Sequence, residues 1–255
     1  MVSRRRDELA AAVQRVRDRI AAACTAVGRD PDEVRLLAVT KTFPASDVAL
    51  LAELGLRDVA ETRDQEAVAK VADVAKMADV AKVADVTALR PATALRWHMI
   101  GRLQRNKARS VVRWAVQVQS VDSDRLVDAL DRAARAAQQA GERDGPIGVL
   151  VQASLDGDAS RGGCPLPELG VLADRVAAAP GLRLEGVMGV APLGAVPEVA
   201  FAQLAAVVQE LRQVHPAAVE FSAGMSGDFE QAVAYGSTCV RVGTALLGGR
   251  RLASP

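Results

Sequence analysis

The chain has 255 residues, half hydrophobic and a quarter charged, and its 32 Lys and Arg against 31 Asp and Glu leave a formal net charge of +1. That is enough for one large domain or two small ones, too apolar for a disordered chain, and too evenly charged for a basic nucleic-acid-binding face. No apolar run is long enough to span a membrane, and Asp7 and Glu8 break the basic start before an apolar stretch can follow, so no signal peptide is read and a cytoplasmic protein is expected.

The first element in chain order is an amphipathic helix over residues 3–28, with Leu9, Val13, Val16, Ile20, Cys24 and Val27 on one stripe and Gly28 at the stop. Eight β-branched runs follow, at 34–40, 57–60, 97–101, 115–121, 147–153, 184–190, 218–222 and 238–243. Helical patterns with readable ends separate them: one after Ser46 stops at Gly55, one capped at Asp122 or Ser123 stops at Gly141, and one over 166–179 stops at Pro180-Gly181. Another carries the stripe Phe201, Leu204, Val208, Leu211 and Val214, and the last, over 228–235, closes at Gly236. Strict alternation of strand and helix implies a parallel sheet, and eight units in this length predict a single (β/α)8 barrel over 1–255 with an N-terminal helix over 1–28. A doubly wound open sheet is the alternative, but it gives no reason for the count of eight. With only four Phe, two Trp and one Tyr, the core must be built from Val, Leu, Ile and Ala.

One segment departs from this alternation. A hexapeptide, VAKVAD, VAKMAD, VAKVAD, runs in tandem over 68–85. Lys70, Asp73, Lys76, Asp79, Lys82 and Asp85 predict an opposite-charge ladder at i, i+3 on a helical extension. The Val positions recur every third residue, so on a helix of 3.6 residues per turn their stripe drifts around the axis and leaves part of the Val surface exposed.

Cys24, Cys164 and Cys239 are odd in number and far apart, which excludes a disulfide framework and a CxxC site. Two histidines, His98 and His215, leave little for zinc or a Ser-His-Asp triad, and the pairing of His98 with Ile100 in alternation favours a structural role. Working residues of a (β/α)8 barrel lie at the C-terminal ends of strands. Here these are Lys41, Glu61 and Thr62, Gly101, the loop 224–228 and residues 241–244. AGMSGD and RVGTALLGG, after the seventh and eighth strands, offer small residues, the hydroxyls of Ser226 and Thr244, and backbone N–H groups for a phosphate. Gly249 stands where a P-loop needs Lys, so that motif is rejected. Alternation in the eighth strand turns Arg241 inward, where a guanidinium is costly unless it meets an internal carboxylate or a ligand anion. Lys41, ending an apolar strand at the mouth, is a Schiff-base candidate. An internal phosphate site, an inward arginine and an amine nucleophile together suggest pyridoxal 5'-phosphate.

LLAVTKTFPASDV (36–48), ETRDQE (61–66), WHMIGRLQRNK (97–107), SRGG (160–163), the stretch 221–234 and CVRVGTALLG (239–248) resemble, in order and over essentially the whole chain, the pyridoxal phosphate homeostasis proteins. The resemblance implies a barrel similar to the N-terminal domain of alanine racemase, with the cofactor held as a covalent aldimine on Lys41. It also implies a phosphate held by Ser226, Gly243 and Thr244, and Arg241 near the pyridine nitrogen or phosphate. The family's G-E-N is here Ala60-Glu61-Thr62, which puts a hydroxyl in place of an amide beside the expected cofactor and implies altered binding at Thr62. The span from Glu61 to Trp97 looks longer than the family's by roughly two repeat units, an expansion on the outer helix where barrels accept insertions.

The implied function is a carrier that buffers pyridoxal phosphate and passes it to apoenzymes, with no turnover and no metal. An amino-acid racemase is the alternative. Against it, an always-charged arginine beside the ring nitrogen weakens the cofactor as an electron sink. The chain also stops soon after the eighth strand, without the β-domain that supplies a racemase's tyrosine and dimer contact, so a monomer is expected. A cofactor-free Schiff-base aldolase would share the barrel and the lysine.

Overall fold

A computed structural model describes residues 2–83, 95–158 and 161–249. Its strands are β1 Arg35–Val39, β2 Asp58–Glu61, β3 Arg96–Met99, β4 Gln117–Val121, β5 Ile147–Ser154, β6 Cys164–Pro165, β7 Leu182–Gly189, β8 Glu220–Ser222 and β9 Cys239–Val242. All pairings are parallel, in the order β4-β3-β2-β1-β9-β8-β7-β5, and a further β4–β5 pairing closes eight strands into a barrel. Each of the eight strands expected from the sequence has its counterpart. The two-residue β6, which pairs with the end of β5, was not legible as a strand.

The helices are α1 Val2–Ala26, α2 Ala45–Glu53, α3 Asp64–Val83, α4 Ala108–Trp114, α5 Asp124–Gln139, α6 Leu169–Ala177, α7 Pro197–Val214, α8 Phe229–Ala234 and α9 Thr244–Leu247. The pattern expected over 166–179 resolves into a 3-10 turn at Leu166–Glu168 followed by α6. Pro165 and Pro167 lack the N–H groups and conformational freedom that an earlier α start would use. α1 buries Leu9, Val13, Val16 and Ile20 against Val48 and Leu51 of α2, Phe229 and Val233 of α8, and Leu246 and Leu247 of α9. Each such buried side chain contributes about 1.5–3 kcal/mol. Arg5 adds a polar tie, donating to Asp47 Oδ2 at 2.6 Å and to the Leu247 carbonyl at 3.1 Å, so α1 laces the first helix of the barrel to the last.

α3 carries the repeat as far as Val83; its last two residues, Ala84 and Asp85, lie outside the described residues. Val68 is 45% exposed and Val74 only 2%, as the drift of a three-residue period on a 3.6-residue helix requires. The helix nevertheless keeps one face on the barrel by using different letters of the repeat in turn: Ala67, Lys70, Val74 and Ala78 are buried. This corrects the charge-ladder expectation. Lys76 pairs with Asp73 at 3.3 Å on the surface, but Lys70 leaves the ladder and points into the protein.

Inside the barrel the apolar layer is small, formed by Leu37, Val39, Ala60 and Cys239 with Ile100 packed against it. The rest is polar. His98 meets Asp58 Oδ1 through Nε2 at 2.8 Å and Gln117 Oε1 through Nδ1 at 2.9 Å, while Gln117 Nε2 donates to Glu185 at 2.6 Å and Glu220 at 2.8 Å. The chain of bonds continues upward from Gln117 to Gln119 at 2.8 Å, to Ser222 at 2.8 Å and to Arg241 at 2.7 Å.

Candidate functional site at the barrel mouth

Arg241 lies on β9, whose residues pair with β1 so that Leu37 stands opposite Arg241. Only 4% of it is exposed, as the inward alternation predicts. Its guanidinium donates to Ser222 Oγ at 2.7 Å and to the Gly189 carbonyl at 2.8 Å. Both acceptors are neutral, and among the described residues no carboxylate forms an ion pair with it. Burial pulls its pKa below that of a free guanidinium, against smaller opposing influences that include Asp228 and Glu220. The carboxylate partner that the sequence left open is therefore absent among the described residues, and the charge stands without a counter-ion. A buried cation of this kind is expensive and calls for an anion or a strong acceptor from outside the chain.

The two glycine-rich loops meet beside it. Arg241 N–H donates to the Gly224 carbonyl at 3.0 Å, and the Ala245 N–H donates to Ser226 Oγ at 3.3 Å. Gly224 has φ +90, and a Cβ there would lie 2.7 Å from that of Ala232 and 2.8 Å from Phe229 Cα, so only glycine lets this loop close over α8. Gly243 precedes α9 and packs against Val39 of β1, and Thr244, the first residue of α9, is exposed. Ser226, Gly243 and Thr244 thus share one side of the mouth with Arg241.

Lys41 follows β1, the strand adjacent to β9. It is exposed, with no hydrogen bond or ion pair to another described residue. It occupies the tight turn Thr40–Phe43, closed by the Phe43 N–H on the Thr40 carbonyl at 3.1 Å, in which Thr42 takes a left-handed φ of +67. Thr62 follows β2 on the other flank and is half-buried; its backbone is so close to Gly101 that a Cβ on that glycine would stand 2.1 Å from the Thr62 carbonyl oxygen. β2, β1, β9 and β8 therefore bring Thr62, Lys41, Arg241, Gly243, Thr244 and Ser226 to one arc of the mouth.

Sequence reasoning missed the residues behind that arc. Lys70 Nζ lies 2.6 Å from Glu61 Oε1 and 2.7 Å from the Thr40 carbonyl, and Thr40 Oγ1 donates to the same Glu61 oxygen at 2.7 Å. The readable signal was phase: Lys70 falls on the stripe Ala67, Val74 and Ala78, whereas Lys76 is exposed. A cavity of about 760 Å³ opens on the β3–α4 and β4–α5 loops, lined by Arg102, Arg105 and Arg125 among others, on the side of the ring away from β8 and β9. None of the arc residues lines it.

The donor set fits an aldehyde-bearing aromatic phosphate: an amine without a partner among the described residues, an uncompensated guanidinium and two loops rich in glycine and small hydroxyl residues. The class these features define is the barrel of alanine racemase, whose N-terminal-domain family matches residues 12–251. A pyridoxal phosphate homeostasis protein of Mycobacterium leprae is 49% identical over 255 residues, 98% of this chain and 96% of that one. The chain belongs to the pyridoxal phosphate homeostasis protein family. Among solved structures, a protein of unknown function from Bifidobacterium adolescentis matches with TM-score 0.80 and 32% identity, covering 95% of both chains. PipY of Synechococcus elongatus, solved with pyridoxal phosphate bound, matches with TM-score 0.70 and 33% identity over 90% of this chain and all of that one.

Proposed function

We propose that this chain is a carrier of pyridoxal 5'-phosphate that holds the cofactor as a Schiff base on Lys41, buffers it inside the cytoplasm as a monomer, and yields it to apoenzymes without turnover of its own. The observation that carries this reading is Arg241, a buried guanidinium satisfied only by neutral acceptors between the lysine turn and the glycine loops. Ser226, Gly243 and Thr244 take the phosphate, Arg241 faces the pyridine nitrogen or the phosphate, and Thr62 borders the ring where the family carries an amide. PipY, solved with the same cofactor, supports the choice of ligand. When bound, the cofactor supplies an aldehyde for the lysine and an electron-withdrawing ring.

The chain's own residues argue for storage over catalysis. A permanently charged arginine cannot accept a hydrogen bond from a protonated ring nitrogen, so the ring is kept in its weaker electron-withdrawing form. Racemisation also needs a second acid or base opposite the lysine. Tyr235 ends α8 and packs against the outer core, and His98 is engaged on both nitrogens deep in the barrel. Among the described residues, no helix is long and apolar enough to cross a membrane.

The test is direct. The purified protein mixed with pyridoxal phosphate should develop an absorption band that borohydride erases, with the reduced adduct on Lys41 by peptide mass spectrometry. Lys41→Ala should lose the band, and a surviving band would overturn the assignment. Alanine should show no more than trace deuterium exchange at its α-carbon; exchange at a catalytic rate would instead establish the racemase.

A further inference from the structure

The Thr40 carbonyl oxygen is the hub of the lysine turn. It accepts the Phe43 N–H that closes the turn and the Lys70 ammonium that reaches in from α3. Lys70 and Glu61 form an ion pair with side chains 9% and 0% exposed, and Thr40 is fully buried beside it. Glu61 Oε2 is buried without a partner, so this carboxylate is held through Oε1 alone. The arrangement is a poor way to gain stability, because apolar residues of similar volume do as well or better than a buried ion pair. Val74 and Ala78, one and two turns along, fill the same face without charge. Thr42, two residues on, sits in a left-handed conformation that disfavours threonine and persists only where its surroundings hold it.

We propose that Lys70 is a positioning residue for the cofactor lysine: anchored by Glu61, its ammonium clamps the Thr40 carbonyl and fixes the turn that presents Lys41 Nζ to the barrel mouth. This rests on the reading of Lys41 as the Schiff-base lysine. In that reaction the neutral Lys41 amine adds to the aldehyde carbon, its nitrogen gives up both hydrogens, and the aldehyde oxygen leaves with them as water. With the phosphate fixed on loops from β8 and β9, the nitrogen must be delivered at a set distance from the adjacent strand, and a loosened turn slows that encounter.

The experiment compares the parent protein, Lys70→Met and the double variant Glu61→Gln/Lys70→Met, following growth of the imine absorption after mixing with pyridoxal phosphate and the melting midpoint of each. Lys70→Met should slow imine formation on the order of tenfold, or ~1.4 kcal/mol in barrel-mouth geometry, and lower the melting midpoint by stranding Glu61. The double variant removes the stranded charge, so its midpoint should recover while the slow rate persists, because the Thr40 carbonyl still lacks its donor. A rate that recovers together with the midpoint, or that never falls in Lys70→Met, overturns the inference. Should Lys70→Met fail to fold, the double variant alone decides by its rate. A borohydride-reduced adduct on Lys41 with unchanged variant kinetics fails this inference only, whereas an adduct on another lysine fails the reading beneath it.

Discussion

The two ends of the barrel treat charge in opposite ways. At the lower end Arg35 pairs with Glu220 and approaches Asp58 at 3.9 Å, Arg96 meets Asp58 at 2.5 Å, and His98 completes the set. Each of these three side chains has a carboxylate partner. At the mouth Arg241 has only a hydroxyl and a carbonyl, and Lys41 has no partner among the described residues. Self-satisfied charges hold a fold together; uncompensated ones at the end of the barrel where ligands bind mark what the fold is for.

Mutations at the two ends should therefore separate stability from binding. Asp58→Ala takes the Nε2 partner from the buried His98 and the carboxylate from the exposed Arg96, while Arg35 keeps Glu220, and should cost about 3 kcal/mol in urea unfolding, while pyridoxal phosphate uptake per folded molecule stays near the parent's. Arg241→Leu should do the reverse, raising the Kd for the cofactor about 100-fold, some ~2.7 kcal/mol, with a stability change within about 1 kcal/mol. Similar losses of binding from both variants would dissolve the distinction. Acid should reach the lower end first. Burial works to raise the Asp58 pKa, but the His98 hydrogen bond, Arg96 and Arg35 outweigh it and hold this carboxyl below its ordinary value. A depressed folded pKa contributes stability above the unfolded value and loses it as pH falls through the folded one, so the loss should fall below about pH 4. Asp58→Asn should flatten that part of the stability profile; an unchanged slope there would show that the His98 network carries no such linkage. The smallest effect concerns the thiols. Burial raises Cys24 and Cys239 and pushes Cys164 up to about 11, so all three should resist alkylation at pH 8 until the chain unfolds. Rapid native labelling of Cys239, on the inner wall, would show that the barrel opens.

Much of this architecture is written in periodicities. The eight strands and the inward turn of Arg241 follow from alternation alone, because a one-residue slip would put Val240 and Val242 inside and the guanidinium among the helices. The glycine loops are legible because few other residues allow such backbone approach. What stayed hidden depends on tertiary distance. Whether Arg241 would meet a carboxylate or neutral oxygens turns on Ser222 and Gly189, which lie 19 and 52 residues away in the chain. Lys70 was hidden by its own context, since a tandem repeat makes its lysines look equivalent although helix phase buries Lys70 and leaves Lys76 on the surface. The left-handed Thr42 carries no sequence signal, because the turn forces it and the residue does not.

One consequence follows from the pairing of β1 with β9. The amine and the phosphate loops are neighbours in space but are made at opposite ends of translation. A ribosome adding roughly 5–20 residues per second leaves something like ten to forty seconds between the synthesis of Lys41 and that of Gly243. During that interval the nascent chain has a lysine but neither the guanidinium nor the loops that retain a phosphate. On the proposed assignment of Lys41 and the phosphate loops, capture of a reactive aldehyde would wait until the last strand has docked on the first, and cargo would be taken up only by molecules that have finished folding.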